Sequence, residues 1–201
     1  VVAQANEASP EVAALAELYL GNGLAGEALA LAQGAPIETA SPEIRTRLVR
    51  IADLARLLKG MPIDPASPLL VNAPDCDRID IPLWRALSAA ASGDAETLAR
   101  NAEPAQAMLR ALPELLMQMY AFRIAEAGRD NPAILRAMAS AVRNAELGGP
   151  EEAAARYLLA ARIARSRNDT IDEVSFLERI VPPGQELTGT TALTMPALIA
   201  R

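Results

Sequence analysis

The sequence predicts an all-α fold in which short helices stack in pairs, and three observations support this prediction. The hydrophobic fraction is 51%, but aromatic residues make up only 3% of the chain and alanine is abundant. Such a composition favours closely packed helices over a sheet, which needs β-branched and aromatic residues. Apolar residues also recur at intervals of three and four, and prolines and glycines separate these runs into segments of ordinary helix length.

Residues 10–34 show the pattern most clearly. Val12, Leu15, Ala16 and Tyr19 have the spacing of one apolar helix stripe. The same spacing recurs after a glycine-rich turn, at Ala25, Ala28, Leu29 and Ala32. Two helices of this size cannot bury both stripes against each other alone, so the hairpin is predicted to stack on neighbouring helices.

The other elements follow from helix start and stop signals. We expect further helices over residues 43–59, 81–92, 95–102, 103–112, 114–127, 132–147, 150–167 and 170–181. Four prolines make residues 60–80 a long proline-rich connection. The sequence therefore predicts one helical domain over residues 1–181, which begins with a helical turn at 1–8. An extended tail or linker toward a further segment follows at 182–201.

Two hairpins carry a resemblance to a known family. Leu15, Ala16, Tyr19, Gly23 and Ala28 have the large, small, aromatic, glycine and alanine order of a tetratricopeptide repeat. A second hairpin has the small, turn, alanine, aromatic and alanine order of the same motif, at Ala141, Gly148, Ala153, Tyr157 and Ala160. The chain thus resembles tetratricopeptide proteins, which implies an α-α superhelix, or solenoid, of antiparallel helix pairs that holds a protein segment on its inner surface.

The resemblance has departures. Val12 stands where the family usually has tryptophan, and Ala32 where it has a large aromatic residue. The separation of Gly23 and Gly148 is not a multiple of the roughly 34-residue repeat. We therefore expect degenerate repeats.

Charge and composition exclude several classes of function. The net charge of -6 repels polyanions, so we expect no nucleic-acid partner. No apolar run reaches the roughly 20 residues that span a bilayer. The chain has no histidine, which removes Ser-His-Asp and Cys-His catalysis, and we expect no enzyme activity. The near absence of lysine indicates a bacterial compositional bias.

The cysteine content and the first residue bear on the compartment and the length of the protein. A single cysteine permits no intrachain disulfide, so periplasm and cytoplasm are not distinguished. Because the chain begins at Val1, we expect a trimmed fragment or a mature secreted form.

The region around Cys76 is the one candidate for metal or thiol chemistry. Asp75, Asp77 and Asp80, with Asp64 nearby, offer carboxylate oxygens. They lack the glycine and the terminal bidentate glutamate of a calcium loop, so we interpret them as solvated turn residues. The flanking carboxylates disfavour the Cys76 thiolate. We expect no metal and no cofactor.

Soft and aromatic side chains concentrate near Pro113, and Trp84 is the sole tryptophan. The group comprises Met108, Met117, Met119, Tyr120 and Phe122. It could line an adaptable groove for a partner helix, but core packing is the ordinary explanation for it and for Trp84.

The helix at residues 43–59 is locally basic. Arg45, Arg56 and Lys59 cluster on one side of the helical wheel, whereas Arg47 and Arg50 lie on the other. We interpret the first cluster as the positive edge of a partner-binding surface, with the exposed sides of residues 11–20, including Glu11 and Tyr19. The expected partner is a protein, through an acidic or C-terminal segment. The alternative is a solvated helix face.

The sequence is compatible with three functions. The first is a non-enzymatic protein–protein interaction module that binds a partner segment in a helical groove. The second is a structural or assembly segment of a larger bacterial envelope or motility-type protein. The third is an all-α small-ligand binder or enzyme with a site under the 62–74 loop.

Overall fold

The computed structural model describes residues 10–71, 78–140, 142 and 150–180. Within these ranges it contains nine helices and no strand, which confirms the all-α prediction. The helices are α1 (Pro10–Gly21), α2 (Ala25–Gly34), α3 (Pro42–Leu58), α4 (Ile81–Ser92), α5 (Ala95–Leu109), α6 (Glu114–Ala127), α7 (Pro132–Met138), α8 (Pro150–Ser166) and α9 (Thr170–Ile180). The predicted leading turn at 1–8, the Cys76 region, Gly148 and the 182–201 tail lie outside the described residues.

Four helices begin as their capping residues predict. In each, a side-chain oxygen before the helix accepts a hydrogen bond from a backbone N–H of the first turn. The pairs are Ser41 with Ile44 (3.3 Å), Asp94 with Thr97 (3.0 Å), Asn131 with Ala133 (3.0 Å) and Asp169 with Asp172 (3.2 Å). Local signals thus determine these boundaries.

Two predicted boundaries are wrong. Helix α5 does not end at residue 102 but continues to Leu109, with Pro104 inside it. Its buried stripe extends to both sides of this exposed proline, and the burial offsets the lost backbone hydrogen bond. Helix α7 ends at Met138 rather than near 147. There the N–H of Ala139 turns back to the carbonyl of Arg136, a tighter bond than an α-helix makes.

The most extensive helix contacts join neighbours in the sequence. They are made by the pairs α1–α2, α4–α5 and α8–α9, and α3 packs on both α1 and α2. The largest fully buried side chains of the main core come from α3 to α7: Leu48, Leu57, Leu83, Leu109, Ile124 and Met138. Leu177 and Ile180 form a second, smaller core with Ala161 of α8. No helix in the described part is long and apolar enough to cross a membrane.

The aromatic and methionine side chains near Pro113 belong to this packing. Trp84 and Tyr120 are buried and make an edge-to-face contact, with ring centroids 5.8 Å apart. Four partly buried side chains pack against the main core: Met108, Met117, Met119 and Phe122. Core packing therefore accounts for the group.

The connection between α3 and α4 contains no helix in its described parts, residues 59–71 and 78–80, as its prolines predict. It is nevertheless packed onto the helices, because Ile63, Ser67 and Leu69 are buried. Ser67 Oγ donates a 2.6 Å hydrogen bond to Oδ2 of Asp53, a buried carboxylate of α3. The connection therefore forms part of the surface beside α3.

Candidate functional site

An open groove of about 840 Å³ lies between α1, α3 and the start of α4. Its volume is in the range of ligand-binding sites and exceeds the 310 Å³ and 250 Å³ of two other surface depressions. The lining residues are Glu17, Leu20, Pro42, Glu43, Thr46, Arg47, Arg50, Ile51, Leu54, Leu69, Arg78, Asp80 and Trp84. Helices α1, α3 and α4 and the connection before α4 thus build one surface.

The floor of the groove is apolar. Ile51, Leu69 and Trp84 are buried, and Leu20 and Leu54 are partly buried. These side chains come from α1, α3, α4 and the connection before α4. Floor residues of this kind can accept the apolar side chains of a ligand.

The first polar element of the rim is an ion pair between helices. Arg47 Nε donates a 2.6 Å hydrogen bond to Glu17 Oε1, and Nη2 donates to Oε2. This bond holds the pKa of Glu17 below its ordinary value, although partial burial opposes the shift. Because both side chains are about 40% exposed, the pair contributes on the order of 1 kcal/mol or less to stability.

The second polar element joins the connection to α4. Arg78 Nε and Nη2 donate to the two carboxylate oxygens of Asp80 at 3.1 and 2.6 Å, and Nη1 donates to the Pro68 carbonyl at 2.6 Å. Trp84 Nε1 donates to Oδ2 of the same aspartate at 2.6 Å. Burial opposes ionisation of Asp80, but these hydrogen bonds outweigh it, so the pKa of Asp80 is lowered. The charges of Arg78 and Asp80 therefore neutralise each other.

Arg50 is the third arginine that lines the groove, and it is exposed. Unlike Arg47 and Arg78, it has no hydrogen-bond or ion-pair partner among the residues that the structure describes. Glu43, the remaining rim charge, stands in the first turn of α3, where the helix dipole favours a carboxylate. Arg50 therefore makes no polar contact within the described part of the chain.

The cations predicted as a partner-binding edge lie outside the groove. Arg45 donates to the carbonyls of Ile37 and Glu38 at 3.1 and 3.4 Å, so it holds the turn between α2 and α3. Arg56 Nη1 donates to buried Asp53 at 3.0 Å. Lys59 is the exposed C-cap of α3.

The two predicted α1 residues also lie outside the groove. Tyr19 is partly buried and packs against the core, whereas Glu11 is exposed in the first turn of α1. Partner binding by Tyr19 and Glu11, and by Arg45, Arg56 and Lys59, stays a prediction. The helical wheel had separated Arg47 and Arg50 from the other cations, but it could not indicate which side faces a groove.

The described residues assemble no metal cluster. Within the ranges given above, no three Asp, Glu or Cys side chains are placed to share an ion. Asp64 accepts a 2.8 Å hydrogen bond from the Ala66 N–H, and Asp80 is paired with Arg78. Cys76, Asp75 and Asp77 lie outside those ranges. Under the described part of the 62–74 loop, the buried carboxylate of Asp53 accepts a hydrogen bond from Ser67 of the loop itself.

No protein-family model, curated protein or solved structure matches this chain. The resemblance of two hairpins to tetratricopeptide repeats therefore rests on the sequence positions given above.

Proposed function

We propose that this protein is a non-enzymatic interaction module that binds a segment of a partner protein in the groove between α1, α3 and α4. The observation that carries the proposal is an apolar floor bordered by charged side chains, two of which, Glu43 and Arg50, have no hydrogen bond or ion pair among the described residues. Interfaces combine a buried apolar centre with a polar rim in the same way.

The shape of the groove favours a protein segment over a small molecule. It follows α3 from Pro42 to Leu54, a distance of about 18 Å at roughly 1.5 Å per residue. Two of its carboxylates, Glu17 and Asp80, are both held by arginines. General acid–base catalysis needs a titratable group free to exchange a proton with the substrate, and neither paired carboxylate offers one. Glu43 is the remaining rim carboxylate, and it has no second unpaired carboxylate in the groove lining to act as the opposing acid or base.

We also propose that the helix pairs form a tetratricopeptide-like superhelix. Support comes from the sequence resemblance and from the three sequential pairs α1–α2, α4–α5 and α8–α9. In such a stack the groove would lie on a surface shared by successive pairs.

A second candidate function is a structural or assembly segment of a larger protein. Exposed aliphatic side chains on the first and last described helices favour it: Leu18 is 60% and Ile171 is 83% exposed. Terminal faces of repeat stacks are normally polar, so apolar ones suit coverage by further helices. Leu18→Glu and Ile171→Glu should then break the larger assembly without unfolding this domain.

The interaction proposal is tested by selecting binders from a display library of random linear peptides. Thr46→Trp should fill the groove from its exposed rim and weaken the selected peptides at least about tenfold. Gln33→Trp, on the exposed side of α2, is the matched control and should leave binding unchanged. Failure to select any peptide, or binding that survives Thr46→Trp, would contradict the proposal.

A further inference from the structure

We propose that the partner segment is an amphipathic helix that places an internal aspartate or glutamate against Arg50 and its apolar side chains on the groove floor. This inference rests on the proposed function, because it specifies the ligand of the same groove. It follows from three features: the unpaired cation, the helical walls and the position of Arg50 within α3.

The rim leaves two charges without a hydrogen bond or ion pair among the described residues: Arg50 and, about two helical turns before it on α3, the carboxylate of Glu43. Glu17 and Asp80 neutralise Arg47 and Arg78, so Arg50 is the cation without a partner in the described part of the chain. A guanidinium binds a carboxylate through two parallel hydrogen bonds. The protein as a whole carries a net charge of -6, whereas the groove lining has three carboxylates and three arginines and therefore no net charge. Within this lining, Arg50 is the place where a ligand carboxylate gains a partner.

Arg47 can reinforce the same contact. It lies one helical turn before Arg50, and residues three apart on a helix are neighbours, with roughly 5–6 Å between their Cβ atoms. Arg47 uses Nε and Nη2 for Glu17, and Nη1 has no hydrogen-bond partner among the described residues. One carboxylate seated beside Arg50 can therefore accept from both arginines.

The walls of the groove favour a helical ligand over an extended one. On the α3 and α4 sides they are helices, whose internal backbone N–H and carbonyl groups already bond to each other. An extended segment would therefore find few backbone partners, whereas a helix satisfies its own backbone. The apolar side chains of such a ligand helix, spaced three and four residues apart, then pack on Leu54, Leu69 and Trp84. This is the usual helix-in-groove arrangement.

The position of Arg50 favours an internal carboxylate over a chain terminus. Sites for C-terminal carboxylates commonly use free backbone N–H groups arranged as a nest. Arg50 stands in the middle of α3, between Pro42 and Leu58, where the backbone N–H groups are used inside the helix. Only side-chain donors are therefore offered here.

The test is a selection from a display library of helix-forming peptides, read by sequencing. Peptides selected by the parent protein should carry Asp or Glu beside an apolar stripe. Arg50→Glu should reverse this preference to Lys or Arg, whereas Arg45→Glu, on the same helix but outside the groove, should retain it. Glu17→Gln, which frees Arg47, should tighten the best acidic peptide by about two- to fivefold.

The outcomes separate this inference from the proposed function. If Thr46→Trp blocks the selected peptides but Arg50→Glu leaves their acidic preference unchanged, the groove binds and the inference is overturned. Affinity lost on amidation of the peptide C-terminus, with no internal acid required, also overturns it. Failure to select any peptide contradicts both. Circular dichroism should show an unchanged fold for Arg50→Glu, because Arg50 is exposed.

Discussion

Trp84 Nε1 donates a hydrogen bond to Oδ2 of Asp80 at 2.6 Å, and this contact joins the core to the groove. One side of the indole meets Tyr120 in the core, with ring centroids 5.8 Å apart, while the residue also contributes to the groove floor. Asp80 in turn holds Arg78, whose Nη1 donates to the carbonyl of Pro68. A single carboxylate thus fixes the connection before α4 and one wall of the proposed site.

Asp80→Asn should lower the free energy of unfolding by about 1–3 kcal/mol at neutral pH, because Arg78 loses its charged partner. The folded-state pKa of Asp80 is depressed. Its stabilisation is therefore present above the unfolded-state pKa and is lost as the pH falls through the folded value. The difference between parent and variant should shrink below about pH 4 in urea titrations followed by circular dichroism. Asp130→Asn, at a side chain that is 91% exposed, is the control; an equal loss there would contradict the assignment.

The helices were predictable because their signals are local. The capping side chains of Ser41, Asp94, Asn131 and Asp169 act within one turn of the residues that they cap, so the sequence alone reveals them. Helix α5 shows where local signals fail. Pro104 reads as a break, but the burial of Ala102 and Ala105 on either side of it keeps the helix continuous.

The groove was not predictable because it depends on contacts between distant segments. Glu17 and Arg47 are thirty residues apart, and no periodicity indicates that they meet. The burial of Asp53 is likewise a tertiary effect: within α3 it reads as an ordinary exposed acid, yet only 3% of it is exposed. For the same reason Arg56 resembled a free cation in the sequence.

Arg56→Glu should destabilise the protein by about 2–4 kcal/mol, because it places a like charge beside the buried carboxylate of Asp53. Arg45→Glu, which loses only exposed contacts to two carbonyls, should cost about 1 kcal/mol or less. Urea unfolding of the two single variants checks the difference. Ser67→Ala should also be destabilising, since it removes the other hydrogen bond to Asp53. Equal effects of Arg56→Glu and Arg45→Glu would show that the Asp53 network contributes little.

Two glycine substitutions should have opposite signs. A Cβ atom on Gly128 would lie 2.5 Å from Cγ2 of buried Ile134, so Gly128→Ala should cost about 1–3 kcal/mol through overpacking. Gly26 is exposed within α2 with nothing near its Cβ position, so Gly26→Ala should stabilise by about 0.5–1 kcal/mol. Thermal unfolding of both variants measures the signs. Ile134→Ala removes Cγ2 and Cδ1, so its combination with Gly128→Ala should destabilise by less than the sum of the two single variants. A fully additive loss would argue against this steric cause.

Tyr120 should resist ionisation until the protein unfolds. Burial raises the pKa of its phenol, and the charge of Arg123 offsets this only in part. A raised folded-state pKa means that the stabilisation is complete below the unfolded-state pKa of about 10 and is lost as the pH rises above it. The difference in phenolate absorbance between the parent and Tyr120→Phe reports the ionisation of Tyr120. This difference should therefore be absent while the parent is folded at about pH 11, and it should appear as the helical circular dichroism is lost. Tyr120→Phe should also lose less stability than the parent between neutral pH and about pH 11, because its unfolded state has one fewer phenol to ionise. If the parent shows that phenolate signal near pH 10 while its helices are intact, the Tyr120 hydroxyl is in contact with water and the packing against Trp84 is looser than described.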